Sequence, residues 1–530
     1  MYSAVENQQV LIRALCQPSI FPHASNDMTL LETHISWVIL CGDFAYKIKK
    51  ALDLGFLDCT TLERRKFFCE EELRLNRRLA PELYLEVVPI TGTEAQPSLA
   101  GQGPALEYAV KMQRFPASAL LSELVDDSRL AAGHIDQLAA QIASFHQRIP
   151  ASGNDTLYGN PDHVHAPALE NFCQIRERID EPHRLAMVER LHTWTQQEYQ
   201  RCAPVFDQRK NQGFVRECHG DMHLGNMVMI ADTPVIFDGI EFNPELYWID
   251  VMSEIAFLCM DLEHHGRPDY ANRFLNSYLE HTGDYEGLQV ARYYRVYRAI
   301  VRAKVASIRV EQEAASKTPS ASLHECDQYL QLALQYSLPQ APVLLITHGL
   351  SGSGKSTLSA RLAEHTGAIR IRSDRERQRL LGRGTRHGQA AEINAGVYSE
   401  DATAQTYAVL EQLAKSVLSA GYSVIVDATF LSRAQREPFR RLATRLGVPL
   451  RVLSFQAEPE VLRQRVIARG EEGRDISEAD LDVLEYQLQH YAGLDADEGS
   501  EVVVIDTQRP CTGQDMAAQL KHSLSDALAG

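Results

Sequence analysis

The chain has 530 residues, 45% of them hydrophobic and 23% charged, with a formal net charge of −17. At about 100–200 residues per domain this length holds more than one domain, and the composition is globular rather than disordered or fibrous. No run approaches the ~18 apolar residues of a membrane span, no basic and apolar leader opens the chain, and the ten cysteines stand without a Cys-x-x-Cys pair, so the chain reads as cytoplasmic, with no membrane partner, zinc site or redox motif.

His34–Leu40 and Phe44–Ile48 read as strands joined by a Gly42-Asp43 turn, and the charged stretch Glu63–Leu79 reads as a helix. Tyr108–Met112 is a further strand, Gln113-Arg114-Phe115 a hinge, and the sequence from there to about residue 335 is mostly helical. The plan is α+β with two lobes. His219-Gly-Asp221-Met-His-Leu-Gly-Asn226 follows the spacing H-x-D-x-x-x-x-N, and a strand Pro234–Phe237 ends in Asp238-Gly239. Phosphoryl transfer needs these residue types: one Asp to orient the acceptor hydroxyl, and an Asn with a second Asp to hold Mg²⁺. His219 braces the loop. Lys47, on the second strand, is placed to hold the phosphates of ATP, and Glu70, on the following helix, to pair with it. Lys49 shares the strand face of Lys47, and Glu71 and Glu72 compete with Glu70.

This first part resembles the aminoglycoside phosphotransferases and the related fructosamine and choline kinases over about residues 30–270. The resemblance implies a protein-kinase-like two-lobed fold with Asp221 as catalytic base, Asn226 and Asp238 as magnesium ligands, and Asp250 as a structural carboxylate. Two features depart from it: no Gly-rich loop precedes Lys47, and Asp238 is followed by Gly-Ile-Glu241 where antibiotic kinases carry Trp or Phe.

Ser337-Leu-Pro-Gln-Ala-Pro342 marks a boundary, giving domains 1–335 and 342–530. Beyond it, the apolar runs Val343–Ile346, Ala368–Ile371, Ser423–Val426, Arg451–Phe455 and Val502–Ile505 read as buried strands, with amphipathic Thr403–Leu418 and Glu458–Arg469 as helices between them. That alternation predicts an α/β domain on a parallel sheet with helices on both faces. Gly349-Leu-Ser-Gly352-Ser-Gly354-Lys355-Ser356 matches G-x-x-x-x-G-K-[ST] between a strand and a helix, and Thr357 follows it into the helix. The glycines bring backbone N–H groups and the helix N-terminus to phosphate oxygens, Lys355 reaches the β- and γ-phosphates, and Ser356 ligates Mg²⁺ with Asp427 at a strand end.

Arg463, Arg465, Arg469 and Arg474, before a helix start at Ser477-Glu-Ala-Asp480, suit a hairpin closing over the phosphates. Arg370, Arg372, Arg375, Arg377, Arg379, Arg383 and Arg386 cluster around Asp374, a candidate base for the acceptor hydroxyl. This part resembles the P-loop kinases that include polynucleotide 5′-hydroxyl kinase, chloramphenicol phosphotransferase and the zeta toxins, over roughly residues 342–506. The resemblance implies Asp374 as base and Arg377, three residues on, as an acceptor-binding group.

Together the two parts resemble bacterial bifunctional fusions of an aminoglycoside phosphotransferase-like domain with a P-loop kinase domain. The expected activity is ATP- and Mg²⁺-dependent phosphoryl transfer to a small-molecule hydroxyl at two sites. The alternatives are a regulatory ATP-binding protein in which one domain gates the other, and a polynucleotide 5′-hydroxyl kinase in the second half. The arginine cluster favours nucleic acid there; the charge of residues 341–530, 22 Lys/Arg against 25 Asp/Glu or a net of −3, does not.

Overall fold

In the computed structural model the residues described are all but 1, 18–19, 22, 24–27, 56, 314–320, 381, 383–399, 473–480, 492 and 530. Arg383, Arg386, Arg474 and the helix start at 477–480 therefore lie outside the described residues. By packing, the chain divides into two compact units: residues 1–174 with 203–261, and residues 175–202 with 262–530. The described residues of 262–337, before the proline-containing segment, thus fall in the same unit as the P-loop sheet. No helix among the described residues is long and apolar enough to cross a membrane.

The first unit is built on six strands: β1 (Met28–Glu32), β2 (Ser36–Cys41), β3 (Phe44–Lys49), β4 (Tyr84–Thr93), β5 (Gln96–Leu99) and β6 (Glu107–Gln113), in the antiparallel order β1-β2-β3-β6-β4-β5. Gly42 has φ +55°, and Cys41 pairs with Phe44, so Gly42-Asp43 is the tight turn its sequence predicts. An N-terminal helix, Tyr2–Leu15, places Leu11, Ile12 and Leu15 against Trp37, Ile39 and Ile48 of the sheet.

The helix Leu62–Asn76 starts where the Thr61 hydroxyl accepts from the Arg64 N–H, and it packs on β4 and β6. Below the sheet, β7 (Val215–Glu217) leads to the His219 loop. The hairpin β8 (Met227–Ile230) and β9 (Thr233–Ile236) follows and leads to Asp238, and β10 (Trp248–Asp250) pairs back with β7.

The second unit carries β11 (Leu344–His348), β12 (Ile369–Arg372), β13 (Val424–Asp427), β14 (Leu450–Gln456) and β15 (Val502–Asp506). All pairings are parallel, in the order β12-β13-β11-β14-β15. The five predicted apolar runs are these five strands. A parallel sheet is covered on both faces, so its central strands are apolar on both sides; Leu344–His348 and Val424–Asp427 are buried at every position. This arrangement puts the P-loop after β11, Asp374 after β12 and Asp427 at the end of β13, all at the carboxyl edge of the sheet where such folds bind ligands.

Candidate active sites

In the first unit the loop 219–226 is held from behind. The backbone N–H groups of His219 and Gly220 donate to one oxygen of Glu254 at 2.8 and 2.7 Å, and His146 Nε2 contacts the other at 2.8 Å. Burial would neutralise Glu254, yet His146 and these bonds lower its pKa. Cys218 completes a buried trio with His146 and Glu254 whose ligand atoms lie within 4.8 Å of one another, but both Glu254 oxygens are already engaged.

His219 donates from Nε2 to the Phe237 carbonyl at 2.9 Å, and burial keeps its pKa low, so it acts as a neutral brace. Gly220 sits at φ +89°, and a Cβ there would meet the Leu246 carbonyl at 2.8 Å.

Asn226 Nδ2 donates to the Asp221 carbonyl and to its Oδ2, at 3.0 and 2.9 Å. Asp238, in the left-handed region at φ +61°, receives Lys47 Nζ at 2.5 Å. Asn226 Nδ2 also lies 3.5 Å from the Asp238 carbonyl, which links the two pairs. Asp221 and Asp238 keep partly exposed carboxylates, 37% and 43%, and the Asp238 carboxylate with the Asn226 amide oxygen suits a hard cation.

The partner of Lys47 is Glu72, at 2.8 Å, and not Glu70, which lies on the outer face beside Lys66. Glu72 is completely buried and shared: Lys49 binds it too, and Lys49 also binds Glu241. Burial raises the pKa of Glu72, but the two lysines outweigh it and bring it to about 2. Burial opposes the charge on Lys47, while Asp238 and Glu72 hold its pKa well above the usual lysine range. Glu241, the departure from the antibiotic-kinase pattern, is therefore the counter-ion of the second lysine.

Asp250 is structural: both oxygens accept from the buried Arg209, at 2.7 and 2.8 Å. At the hinge, Phe115 meets Phe237 edge-on at 5.1 Å.

In the second unit the loop 349–356 wraps the start of the helix Lys355–Thr366. Gly352 has φ +78°, and a Cβ on it would strike the Leu462 carbonyl at 2.8 Å, so the position requires glycine. Lys355 Nζ donates to the carbonyls of Gly349 and Leu350, both at 2.8 Å. Burial lowers its pKa to about 8, with Asp427 and Asp374 favouring the charge.

The cleft over the loop measures about 690 Å³. Gly352, Gly354, Ser356 and Thr357 line it, as do Asp374, Arg377 and Asp427. Asp427 accepts from Ser359 Oγ at 3.1 Å, and Arg377 lies 3.6 Å from Asp374. Among the described residues, Lys355 and five arginines, Arg361, Arg377, Arg465, Arg469 and Arg509, face two carboxylates in this cleft, a balance that suits a polyanion.

Of the predicted closing arginines, Arg465 and Arg469 face the cleft. Arg463 turns to Glu485 at 2.6 Å. Arg361 and Arg509 were not legible as site residues, since each stands alone in its segment. Of the cluster around Asp374, Arg370, Arg372 and Arg375 pair with Glu280, and Arg379 with Glu376.

Residues 65–292 match the model of the phosphotransferase enzyme family, and residues 344–494 match that of an AAA domain. The chain is a phosphotransferase-family kinase fused to a P-loop kinase-type domain. The fusion belongs to the family of the uncharacterized proteins Rv2004c of Mycobacterium tuberculosis and Mb2027c of Mycobacterium bovis. Each is 30% identical to it over 438 residues, covering 83% of this chain and 85% of the relative.

Among solved structures, the fusion is similar to a choline/ethanolamine kinase family protein from Mesorhizobium loti, with 9% identity, 62% of this chain and 98% of that one covered, and a TM-score of 0.37. It is also similar to a gluconokinase from Sinorhizobium meliloti, with 20% identity, 36% and 94% covered, and a TM-score of 0.25. The fusion is a phosphotransferase enzyme. Lys47 precedes the stretch matched by the phosphotransferase family, whereas Glu280 lies inside it.

Proposed function

We propose that the protein transfers the γ-phosphoryl group of ATP to hydroxyl groups of small molecules at two separate sites. The observation that carries this reading is that each compact unit holds its own set: Lys47, Asp221, Asn226 and Asp238 in one, and Lys355, Ser356, Asp374 and Asp427 in the other. At the first site Asp221 orients the acceptor hydroxyl and takes its proton, Lys47 holds phosphate oxygens, and Asn226 and Asp238 hold the metal. At the second, the loop amides and Lys355 cradle the phosphates, Ser356 and Asp427 hold the metal, and Asp374 takes the acceptor proton. Arg377 holds the acceptor, and Arg465 and Arg469 supply positive charge over the transferring group. Bound Mg²⁺ supplies charge neutralisation across the phosphate oxygens.

Small acceptors fit better than polynucleotides. Three arginines of the cluster around Asp374, namely Arg370, Arg372 and Arg375, are drawn to Glu280 and do not line the cleft. An ATP-consumption screen of the purified protein against sugars, nucleosides, aminoglycosides and 5′-hydroxyl oligonucleotides tests the reading. Acceptor-dependent turnover should appear and should fall selectively in Asp221→Ala or in Lys355→Ala. ATP hydrolysis indifferent to every acceptor, and lost in both variants together, would point instead to one gated ATPase.

A further inference from the structure

The helix Pro268–Thr282 packs against β12 and the helix Lys355–Thr366 of the P-loop sheet. One side of it does the anchoring. Asn272 donates to the Glu364 carbonyl at 2.9 Å, and Arg273 pairs with Glu364 at 2.6 Å. Asn276 donates to the Ala368 carbonyl at 3.1 Å and accepts from the Arg370 N–H at 2.7 Å. One turn further on, Glu280 receives Arg372 and Arg375 on one oxygen, at 3.0 and 2.9 Å, and Arg370 on the other at 3.3 Å. A single carboxylate, 13% exposed, gathers three guanidinium groups. Burial raises its pKa, but the arginines outweigh that and bring it to about 2, so it stays ionised.

The positions of those arginines matter. Arg370 donates through Nη1 to the carbonyl of Ser356 at 2.7 Å, and the same nitrogen stands 3.8 Å from Asp427 Oδ2. Arg372 and Arg375 flank Ser373-Asp374 on either side. The guanidinium of Arg370 therefore lies between two carboxylates, Glu280 and Asp427. A cation freed from the first would be drawn closer to the second, with which it already makes a long ion pair. There it would compete directly with a divalent ion.

We propose that Glu280 is a positioning residue of the P-loop site: it competes with Asp427 for Arg370, limiting that guanidinium to a long ion pair of 3.8 Å so that Mg²⁺ can take the carboxylate, and it anchors the segment that carries Asp374. The proposal rests on the reading of Ser356 and Asp427 as the metal-holding pair.

The test uses the full chain with the first site silenced by Asp238→Ala, and reads the binding of a fluorescent ATP analogue as Mg²⁺ is titrated. Glu280→Gln should raise the Mg²⁺ concentration at half-saturation about tenfold, as loss of a group that orients a metal ligand does. Glu280→Asp should recover part of this. Adding Arg370→Met to Glu280→Gln should restore the Mg²⁺ dependence, because the competing cation is gone; a residue that merely stabilises the fold would give a double variant worse than either single one. An unchanged Mg²⁺ midpoint in Glu280→Gln, or no recovery on adding Arg370→Met, overturns the proposal. Should Glu280→Gln not fold, the same comparison is made with Glu280→Asp. Asp427→Ala separates the two readings. If it leaves the Mg²⁺ dependence intact, the metal site itself is misassigned. If it abolishes the dependence while Glu280→Gln does not alter it, only the role of Glu280 fails.

Discussion

Binding of ATP to the P-loop site above pH 8 should draw a proton onto the protein. Lys355 is buried, and desolvation brings its pKa down to about 8, against the favourable charges of Asp427 and Asp374. The phosphates select the ammonium form, and their charge returns the pKa to the ordinary lysine range or above. The sign follows: the group binds fewer protons in the free protein than in the complex, so rising pH opposes binding once it passes about 8. Half of the lysines are neutral at pH 8 and about nine-tenths at pH 9, so binding at pH 9 takes up about 0.9 proton. Affinity at this site should fall about fivefold between pH 8 and 9, or about 1 kcal/mol, approach tenfold per unit only above about pH 9, and be nearly flat for this group below about pH 7. Calorimetric titration of Mg-ATP into the full chain carrying Asp238→Ala, in buffers of different ionisation enthalpy, counts the protons directly. Lys355→Arg keeps its charge at every pH and should show no uptake. The reasoning fails if the wild-type P-loop takes up no proton at pH 9, or if Lys355→Arg takes up as much.

Glu72→Gln should cost about 3–5 kcal/mol of unfolding free energy, because it leaves two buried lysines one counter-ion short, while Glu70→Gln should change it by less than about 0.5 kcal/mol; chemical denaturation of the two variants compares them. Asp221→Asn should lower acceptor-dependent turnover at the first site by about 10²–10⁴-fold and leave ATP affinity within a few-fold, checked by paired kinetics and binding; equal losses in both would make Asp221 a metal or structural group. Asp374→Ala should behave in the same way at the P-loop site, with transfer falling far more than nucleotide binding, and a matching loss of both would remove it from the role of base.

The parallel sheet was legible because each central strand is buried on both faces and therefore shows as an unbroken apolar run. In the first unit β4 and β5 were hidden: Pro89, Gly92 and Pro97 interrupt them, and β5 is an edge strand where proline costs no ladder bond. The choice of Glu70 over Glu72 failed for a related reason. The inward stripe of the helix Leu62–Asn76 is Arg65, Cys69, Glu72 and Asn76, spaced for one face but mostly polar, while Phe67 is exposed. Apolar periodicity cannot find a polar stripe; the phase needs Lys47 and Lys49 in place. The phosphate loop and the His219–Asn226 loop were legible since their chemistry is local in sequence. Glu254 and Glu280 were not, because their partners lie 34 or more residues away; the apolar run around Glu254 signals burial but not what it binds.

Asn276 has a consequence for how the gene can be cut. Its amide binds the backbone of Ala368 and Arg370 along the free side of β12, the outermost strand of the sheet. Bare strand margins recruit other chains. A fragment beginning at Pro342 would contain every residue of the phosphate loop and still lack the helix that covers this margin. Such a fragment should precipitate or self-associate through strand addition when expressed. A soluble version should begin before Pro268, so the recombination unit of this P-loop domain is longer than the stretch its motifs occupy.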